Sequence, residues 1–584
     1  MRYRTRRKRQ PETAQSNCKV ADVNVESNRS PSTPLRPHVF IAMADILHLN
    51  CDAWLLPTGV EVKISDYWKD GNPDLERLAH SSAGPEFRSG SKLAQAVDGW
   101  LQDSALPILT SVTVSNLWPS GELQKRIHAF AQAAVEAIPS RPSYRALPLL
   151  AIPFFGTAGG GAGRNLGEML TQLLQAAVSA SLAYEVDVAI VLRDKAAFAL
   201  AQKLRREKKD IYWSSLSSDQ LELAESLAAK ARKGTLVPFL GAGVSVSAGA
   251  PDWKKLIGKL SDHVSLESIG PGVFAALPVL DQAGLLEQLF EKQKQPGEFR
   301  ETICQEVTML RYGLAPALLA TLPAAGTITL NYDTLFETAC LDAKQPRTVI
   351  PDDHPTAGDR WLLKLHGTVT KPETIVLTRG DYLDHTANRQ ALSALVKAHL
   401  VTHHMLFVGF GLEDDHFHEI VHDVRRALPQ QRLDKSRPFG TVLTLRQQDP
   451  KQHLWRGQLE FASASDAESN AGGNPLHEPE ALLAAGRKLE IFLDALAAFS
   501  SDNHSYLLAP LYTKGLGAEE TSLRSQLLQV ADSNRQEESE VGSVLRESLM
   551  DLGWDPAYSY PKKVFRRLGS RRSFFSSRFK NQAH

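Results

Sequence analysis

Short apolar runs recur along the first two hundred residues and predict a buried sheet. Val39–Ala42, Leu147–Pro153 and Asp187–Leu192 are each rich in aliphatic residues, as buried strands are. Between the last two, the segment from Leu166 to Tyr184 carries apolar residues at helical spacing. Because strands and helices alternate, we predict an α/β region over residues 38–205.

A second α/β region is predicted to follow an amphipathic helix. Ser217 offers an N-cap for this helix, which should end near Arg232, and Gly234 follows. Leu236–Leu240 is then another apolar strand. We place a linker helix at residues 206–232 and the second region at 233–500. The flanking divisions are a basic, disordered tail at 1–37 and a polar, basic extension at 501–584 with a helix over 519–530.

Composition narrows the class of protein. Lys plus Arg and Asp plus Glu each number 66 among the 584 residues, so net charge gives no general reason to expect nucleic acid. The basic ends favour solvated tails over an anionic partner. The four cysteines are far apart, which favours a reducing compartment and argues against a zinc module. No apolar run could span a bilayer and no secretory signal is recognised, so we expect a cytoplasmic protein without membrane contact.

The strand at 236–240 runs into a turn of small residues, Gly241-Ala242-Gly243-Val244-Ser245. Such a turn brings backbone N–H groups close to a pyrophosphate, and a side chain at Gly241 or Gly243 would block that approach. Ser245 adds a hydroxyl donor. A tight strand–helix turn without a ligand is an equal alternative on this motif alone. The spacing is not G-x-G-x-x-G, so it does not indicate an ordinary dehydrogenase.

Three further apolar strands are each followed by a polar cluster. The three clusters are Asn331-Tyr332-Asp333, His366-Gly367, and the segment from Gly409 through Gly411 to Asp414. Ligands bind at the carboxyl edge of an open parallel sheet. Four polar clusters at strand ends, counting the turn at 241, therefore predict a binding site at this edge.

The motifs G-A-G-x-S, A-G-x-P-x-W, T-x-N-Y-D, K-L-H-G and G-x-G-x-x-D, in this order, resemble the SIR2 superfamily. More narrowly, they resemble the bacterial SIR2-like branch of NAD-depleting anti-phage defence proteins. The resemblance covers residues 233–500 and implies a Rossmann-like domain with a parallel sheet that takes NAD as substrate without a metal. The four-cysteine zinc module of the superfamily's deacylases is absent, which favours hydrolysis of NAD over deacylation.

Loss of nicotinamide leaves an oxocarbenium-like ribose, so the site must hold the ribose and direct water. The resemblance makes Asn331 the catalytic amide. His366 is the expected acid–base group, with a strand-capping core histidine as the alternative. Asp333 either binds ribose and organises Asn331 or caps a turn. Trp253 is a wall of the nicotinamide site or a core aromatic. The full expected binding set is Gly241, Ala242, Gly243, Ser245, Trp253, Asp333, Gly409 and Gly411.

Other polar residues near these motifs are given structural roles. Asp414 is expected to cap the helix that follows it. No set of partners distinguishes the remaining histidines of this segment, so we treat them as structural or surface residues. They are His403, His404, His416 and His418.

The first region resembles a macro domain, a fold that usually binds ADP-ribose. Ile41–Ile46 and Asp52–Pro57 are similar to its opening, and Ala151–Gly161 is similar to its phosphate loop. Pro57-Thr58-Gly59-Val60 stands where that family has an Asn-rich segment, which puts ADP-ribose binding in doubt. A sensor of another nucleotide or a protein-binding platform are the alternatives.

We therefore predict an NAD glycohydrolase that acts in abortive anti-phage defence. The alternatives are a sensor of NAD or ADP-ribose without turnover, and an NAD-dependent protein deacylase. We expect a homo-oligomer with low resting activity. A phage-derived or companion activator would engage residues 38–205, with the glycine-rich loop at 156–163 as the candidate contact.

Overall fold

Thirteen strands in the described part of the chain form two β-sheets. The computed structural model describes residues 35–101, 104–112, 121–138, 145–157, 165–388, 390–428, 438–445, 450–463, 479–535 and 539–558. Most of the predicted tail at 1–37, most of the glycine-rich loop at 156–163 and the end of the C-terminal extension lie outside the described residues. From Arg36 on, the described residues belong to one compact unit.

The first sheet has six strands in the order β1-β6-β5-β2-β4-β3. All its pairings are parallel except that of β3 with β4. Three of its strands, the edge strand β1 and the inner strands β4 and β6, are buried along their whole length, which explains their continuous apolar sequences. Three of the strands confirm predicted runs. The bounds are β1 (Val39–Met43), β2 (Ala53–Thr58), β3 (Ala94–Ala96), β4 (Leu106–Ser111), β5 (Leu149–Pro153) and β6 (Asp187–Leu192).

Eight helices accompany this sheet in the described residues. The predicted cap of the last one is confirmed, because the Ser217 hydroxyl accepts a hydrogen bond from Gln220 N (3.2 Å) and the Gln220 side chain accepts one from Ser217 N (2.9 Å). The bounds are α1 (Asp66–Lys69), α2 (Leu75–Ser82), α3 (Pro85–Arg88), α4 (Glu122–Ala137), α5 (Leu166–Tyr184), α6 (Lys195–Arg206), α7 (Lys209–Tyr212) and α8 (Ser218–Arg232).

The second sheet has seven parallel strands in the order β13-β12-β11-β7-β8-β10-β9. Without the edge strand β9, this is the strand order of a Rossmann fold, which confirms the predicted class. Its topological switch point lies between β7 and β11. The bounds are β7 (Leu236–Leu240), β8 (Gly326–Thr329), β9 (Thr348–Ile350), β10 (Trp361–Lys364), β11 (His404–Val408), β12 (Gly440–Thr444) and β13 (Leu459–Ser463).

Both faces of the second sheet are buried. Along β7, Leu236 and Leu240 join one apolar cluster, whereas Val237 and Phe239 join another, as the two-residue repeat of a strand requires. The helices of this region begin after a 3₁₀ helix at Ala242–Ala248. They are α9 (Trp253–Ser261), α10 (Pro271–Ala275), α11 (Val279–Gln293), α12 (Glu298–Val307), α13 (Leu314–Ala320), α14 (Leu335–Asp342), α15 (Arg379–Asn388), α16 (Gln390–Thr402), α17 (Asp415–Ala427) and α18 (Lys451–Leu454).

Helices α9 to α12 form a small layer with its own apolar cluster. Leu256, Leu286, Phe290 and Ile303 are its buried centre. The same cluster includes Tyr332, which follows β8 at the carboxyl edge of the second sheet. The layer therefore packs beside the edge at which the polar clusters lie.

One long helix joins the two sheets. Helix α19 (Pro479–Ser500) follows the second sheet in sequence but packs against α8, α13 and β1. As a result, a single apolar cluster includes strands from both sheets. The domain boundaries at 205, 232 and 500 remain predictions, since the two regions share this cluster.

A buried ionic cluster lies under α19, and we call it the junction cluster. Asp494 of α19 accepts hydrogen bonds from His38 Nε2 (2.9 Å), Trp213 Nε1 (2.8 Å) and Arg205, and both Asp494 and Arg205 are fully buried. Burial would raise the pKa of Asp494, but the charge of Arg205 and the hydrogen bond from His38 hold it at about 2. Arg205 begins the charged segment at 205–210, at the boundary we predicted between the first region and the linker helix. It is instead a core residue, because its partner lies 289 residues later.

Two helices follow α19 in the described residues, α20 (Ala518–Ser533) and α21 (Glu540–Asp551). The first confirms the helix predicted over 519–530. A 3₁₀ helix at Pro510–Gly515 packs closely on α5, where a Cβ on Gly167 would lie 2.8 Å from Gly515 N. Within the described ranges, no helix combines the length and apolar character needed to cross a membrane.

Candidate active site

A cavity of about 490 Å³ opens at the carboxyl edge of the second sheet, at the switch point between β7 and β11. The ends of β7, β8, β10 and β11 all contribute to its wall, as the four polar clusters predicted. Gly243 is the single member of the predicted set that is not on the described wall. The predicted residues that line it are Gly241, Ala242, Ser245, Trp253, Asn331, Asp333, His366, Gly409 and Gly411.

The glycines of the first turn are required because the segments that follow the neighbouring parallel strands β7 and β11 approach each other closely. A Cβ on Gly241 would lie 2.5 Å from Gly409 O, and one on Gly243 would lie 2.7 Å from Gly409 Cα. Gly409 itself has φ of +63°. The N–H groups of Gly241 and Gly243 donate to Val408 O (3.0 Å) and Gly409 O (2.9 Å). The protein itself therefore uses these two amides, and the approach of a diphosphate to other N–H groups of the turn stays a prediction.

Asn331 is held in place on both its backbone and its side chain. Its N–H donates to the Thr329 hydroxyl (3.0 Å), at the end of β8. Its side-chain Nδ2 donates to Gly241 O (3.1 Å), which links the ends of β8 and β7. Among the described residues no donor reaches its Oδ1. The amide is thus oriented by the turn and has an acceptor oxygen for a water or a ribose hydroxyl.

Asp333 and Ser245 are bonded to each other. The Ser245 hydroxyl donates to Asp333 Oδ2 (2.9 Å), so its hydrogen is not directed to a ligand as we expected. Asp333 Oδ1 accepts from Leu335 N (3.0 Å), the turn-capping arrangement considered for it at the sequence level. Both side chains nevertheless lie on the cavity wall.

Lys364 is a site residue that sequence reasoning missed. It ends β10, is 2% exposed, and its Nζ donates to Asp333 O (2.5 Å), Tyr332 O (3.3 Å) and Glu337 Oε1 (2.6 Å). It therefore fixes the backbone of the loop that carries Asn331 and Asp333. The signal was present in the sequence, since a lysine within a buried strand must have partners.

Four side chains form what we call the site cluster: His366, Tyr382, Asp414 and His416. His366 Nε2 lies 3.3 Å from His416 Nδ1 and 3.7 Å from Asp414 Oδ2. The Tyr382 hydroxyl donates to Asp414 Oδ2 (2.7 Å), and its ring stacks on His416. Burial and the charge of Asp414 raise the pKa of Tyr382, which keeps its proton on the hydroxyl.

Two outcomes follow for the sequence-based predictions. Asp414 caps α17 as expected, because its Oδ1 accepts from Phe417 N (2.9 Å). His416, which we placed among structural and surface residues for want of a distinguishing partner, does have one, since it contacts His366 directly. The sequence placed it in the first turn of a helix that starts at the same sheet edge, and that position was the missed signal.

The loop after His366 is fixed by a glycine. Gly367 has φ of +89°, and a Cβ there would lie 2.2 Å from Thr374 O. In turn, Val376 N donates to His366 O (3.1 Å). These contacts hold His366 at the cavity with little freedom.

Acidic groups outnumber basic ones on the cavity wall. Arg379 is the basic residue on the described wall, and it also pairs with Asp281 (2.9 Å). Trp253 lines the cavity and packs on the helical layer, so it fits both of its predicted roles. The net negative charge suits a ligand that carries or develops positive charge. The acidic residues are Asp333, Glu413, Asp414 and Asp415.

Residues 326–459 match the family model of the SIR2-like domain. This part of the chain is thus similar to a SIR2-like domain. The matched residues include Asn331, His366 and Asp414, while the turn at Gly241 precedes them.

Curated relatives to which this chain is similar are named for defence and NAD hydrolysis. Defense-associated sirtuin 2 of Bacillus subtilis is 30% identical over 236 residues, 39% of this chain and 23% of the relative. NAD(+) hydrolase ThsA of Enterococcus faecium is 26% identical over 223 residues, 36% and 44% of the two chains. ThsA of Bacillus cereus (strain MSX-D12) is 27% identical over 198 residues, 32% and 40%. The chain thus spans less than half the length of these relatives.

A solved structure titled Alphavirus P23pro-zbd also matches, with 13% identity and a TM-score of 0.24. The match covers 57% of this chain and 47% of that one. A likeness this weak has no bearing on the function.

Proposed function

We propose that the second α/β region binds NAD⁺ and hydrolyses its nicotinamide–ribose bond. Water would add to the ribose C1′, nicotinamide would leave, and ADP-ribose and a proton would be the other products. The observation that carries the proposal is the cavity at the switch point, with Asn331 and His366 both on its wall. Its volume of about 490 Å³ falls within the roughly 300–1,000 Å³ range of small-molecule sites.

The charge of the wall supports this bond cleavage. The leaving step places positive charge on the ribose, and fixed negative charge nearby lowers the energy of such a transition state. Asp333 and Asp414 are nearly buried at the cavity, where water screens them poorly. Because hydrogen bonds hold both carboxylates, they need little reorganisation during the reaction.

Asn331 and His366 receive distinct roles. The Asn331 amide, oriented by Gly241 O, would present its oxygen to the attacking water or to a ribose hydroxyl. His366 would accept the proton released as water attacks, with Asp414 nearby to stabilise the resulting imidazolium. Lys364 would position the Asn331 loop without touching the substrate.

The names of the relatives support the same reading, since several are called NAD(+) hydrolases and one a defense-associated sirtuin. We propose that this chain likewise acts in anti-phage defence within the cytoplasm, as a homo-oligomer with low resting activity. The macro-like assignment of the first region, its binding of ADP-ribose, and activation through residues 38–205 are parts of this proposal. Because the two sheets share one apolar cluster, activation would not require the sheets to separate.

The test is to incubate the purified full chain with NAD⁺, with and without phage lysate, and to separate the products by chromatography and mass spectrometry. We expect nicotinamide and ADP-ribose in equal amounts. Cyclic ADP-ribose instead would mean cyclisation, and acetyl-ADP-ribose formed only with an acetylated peptide would mean deacylation. NAD⁺ binding without any product under both conditions would favour the sensor alternative. The His418→Gln variant is the control for changes at the cavity and should form the same products as the unaltered protein. His418 lies in α17 but bonds to Leu412 O, and neither residue lines the cavity.

A further inference from the structure

Three potential metal ligands converge beside the cavity. His366 Nε2 lies 3.3 Å from His416 Nδ1 and 3.7 Å from Asp414 Oδ2, and all three atoms lie within 4.8 Å of one another. His366 comes from the end of β10, whereas the other two come from the cap and first turn of α17. The two elements meet at the switch-point edge, so the convergence is set by the fold.

These separations match those of ligands around one ion. Nitrogen and oxygen ligands at about 2.0–2.2 Å from a tetrahedral zinc lie roughly 3.3–3.5 Å apart. The separation of the two histidine nitrogens falls in this range, and that of His366 and Asp414 is slightly larger. Two imidazoles and a carboxylate are a donor set that Zn²⁺ prefers, with a fourth position open to another ligand.

The groups around His416 and Asp414 hold these two ligands in the form a metal needs, whereas Nε2 of His366 donates to His416 Nδ1 and would give up its hydrogen to the other ring nitrogen or to solvent when a metal binds. His416 Nε2 lies 2.9 Å from Tyr382 O, which can only accept, so Nε2 carries the proton and Nδ1 has the lone pair. Asp414 Oδ1 is occupied by Phe417 N, which leaves Oδ2 directed at the histidines and bonded to the Tyr382 hydroxyl. Such hydrogen bonds to a backbone carbonyl and to a ligating carboxylate are typical of the outer shell of metal sites.

We propose that His366, Asp414 and His416 bind Zn²⁺, with the fourth position of the ion facing the cavity, and that bound Zn²⁺ inhibits turnover. A histidine nitrogen that coordinates zinc cannot take a proton. The ion would also neutralise Asp414, whose negative charge favours a cationic ribose. The inhibition rests on the proposed NAD hydrolysis, whereas the binding site stands on the geometry alone.

Two other groups could bind zinc and must be removed from the test. His399 and His403 face each other on α16, with their Nδ1 atoms 3.2 Å apart. Asp45, His48 and Asp342 form a second group, in which the His48 ring is about half exposed. The reference protein is therefore the untagged full chain with His48→Gln and His403→Gln.

Zinc binding is measured by equilibrium dialysis with metal analysis, and ligand geometry by the visible absorption of Co²⁺ in place of zinc. We expect one tight equivalent and the intense bands of four-coordinate cobalt in the reference protein. His416→Gln removes a ligand and should weaken the affinity more than about 100-fold, beyond the 10–100-fold typical of outer-shell changes. Asp414→Asn keeps an N-cap acceptor for α17 but removes the charge, so it tests the site if His416→Gln does not fold. His418→Gln should bind as the reference does.

Equal zinc affinity in the reference protein and in a folded His416→Gln or Asp414→Asn variant would overturn the site, as would the absence of four-coordinate cobalt bands.

For inhibition, NAD⁺ cleavage is followed under the conditions in which the metal-free reference protein is active. One equivalent of Zn²⁺ should reduce the rate at least tenfold, and a chelator should restore it. Full activity with zinc bound would overturn the inhibition. A metal-free protein that never cleaves NAD⁺ would count against the proposed function and leave the binding result standing.

Discussion

Two buried clusters in this molecule combine histidine, aspartate and an aromatic partner, and they differ in what faces them. The site cluster around His366 and Asp414 borders a cavity. The junction cluster around Asp494 is sealed between α19 and the first sheet, and its carboxylate is saturated by His38, Arg205 and Trp213. Both clusters are built from buried, hydrogen-bonded ionisable groups.

The difference shows that burial and hydrogen bonding do not by themselves mark a functional site. Perturbed ionisable groups occur in active sites and in structural ion pairs alike. What separates the two clusters is access to a ligand. Changes in the site cluster should therefore reduce turnover while leaving stability intact, and changes in the junction cluster should do the reverse.

The largest effect is expected at the site. His366→Ala and Asn331→Ala should each lower the kcat of NAD⁺ cleavage by about 10²–10⁴-fold, as loss of acid–base and positioning groups does. Thermal unfolding should stay near that of the unaltered protein. The measurement pairs nicotinamide release with a melting curve. A His366→Ala protein within a few-fold of normal activity would remove His366 from the mechanism.

The matching change at the junction is Asp494→Ala. It leaves Arg205 buried without its carboxylate, which typically costs about 3–5 kcal/mol. The denaturant midpoint should fall markedly, while kcat of the protein that remains folded should change little. Lys514→Ala, which removes an exposed pair with Glu168, is the control and should have almost no effect. A stable Asp494→Ala protein with lost turnover would mean that the junction cluster serves the site.

Gly243→Val tests the comparison because it should lower both the affinity for NAD⁺ and the stability of the fold. We first expected it to weaken NAD⁺ binding by crowding the diphosphate, with strain if φ were positive. The φ of Gly243 is not in the positive range, and the new side chain would instead collide with Gly409. Overpacking of this kind costs about 1–3 kcal/mol. Calorimetry in the Asn331→Ala background should show weaker NAD⁺ binding together with a lower melting temperature.

Gly411→Ala is the matched control for Gly243→Val. Its Cβ would meet nothing closer than the Glu413 carboxyl group at 3.9 Å. It should therefore melt as the unaltered protein does. If Gly243→Val kept full stability and lost only NAD⁺ affinity, the loss of affinity would mean that the diphosphate contacts this turn directly.

The smallest effect concerns His404, a partly buried histidine that lies outside the cavity and pairs with no carboxylate among the described residues. Burial lowers its pKa to about 4, below the value of about 6.5 in an unfolded chain. Between these values the unfolded chain binds a proton at this position and the folded chain does not, so stability falls as pH falls. His404→Gln can keep a hydrogen bond to Thr441 and cannot titrate there. The variant should lose less stability than the unaltered protein between about pH 7 and about pH 4.5, measured by urea midpoints. Identical losses would show that His404 is not the group responsible.

Much of the second region could be predicted from sequence because its signals are local. Each of the four predicted strands, β7, β8, β10 and β11, is a short apolar run, and the polar residues that follow it come next in the chain, as with Asn331 after β8. The outer strands β9, β12 and β13 lack such a run and were not predicted. The strand β4 was missed in the first region, where Pro107 interrupts a run with no distinctive flanking residues.

What could not be predicted depends on contacts between distant segments. Arg205 is charged and stands in a charged stretch, and only the position of Asp494 makes it a core residue. His416 gains its significance from His366, fifty residues earlier. From the sequence, we explained the lack of side chains at Gly241 and Gly243 by a bound ligand. A local motif does not reveal that Gly409, far along the chain, packs against both glycines.

The return of α19 to the first sheet has a consequence for synthesis on the ribosome. Arg205 leaves the ribosome well before Asp494, and at about 5–20 residues per second the interval of 289 residues lasts roughly 15–60 s. During this time the nascent first region lacks the helix that closes its core. We expect a prematurely terminated chain that already carries Asn331 and His366, but not α19, to be an early target of proteases.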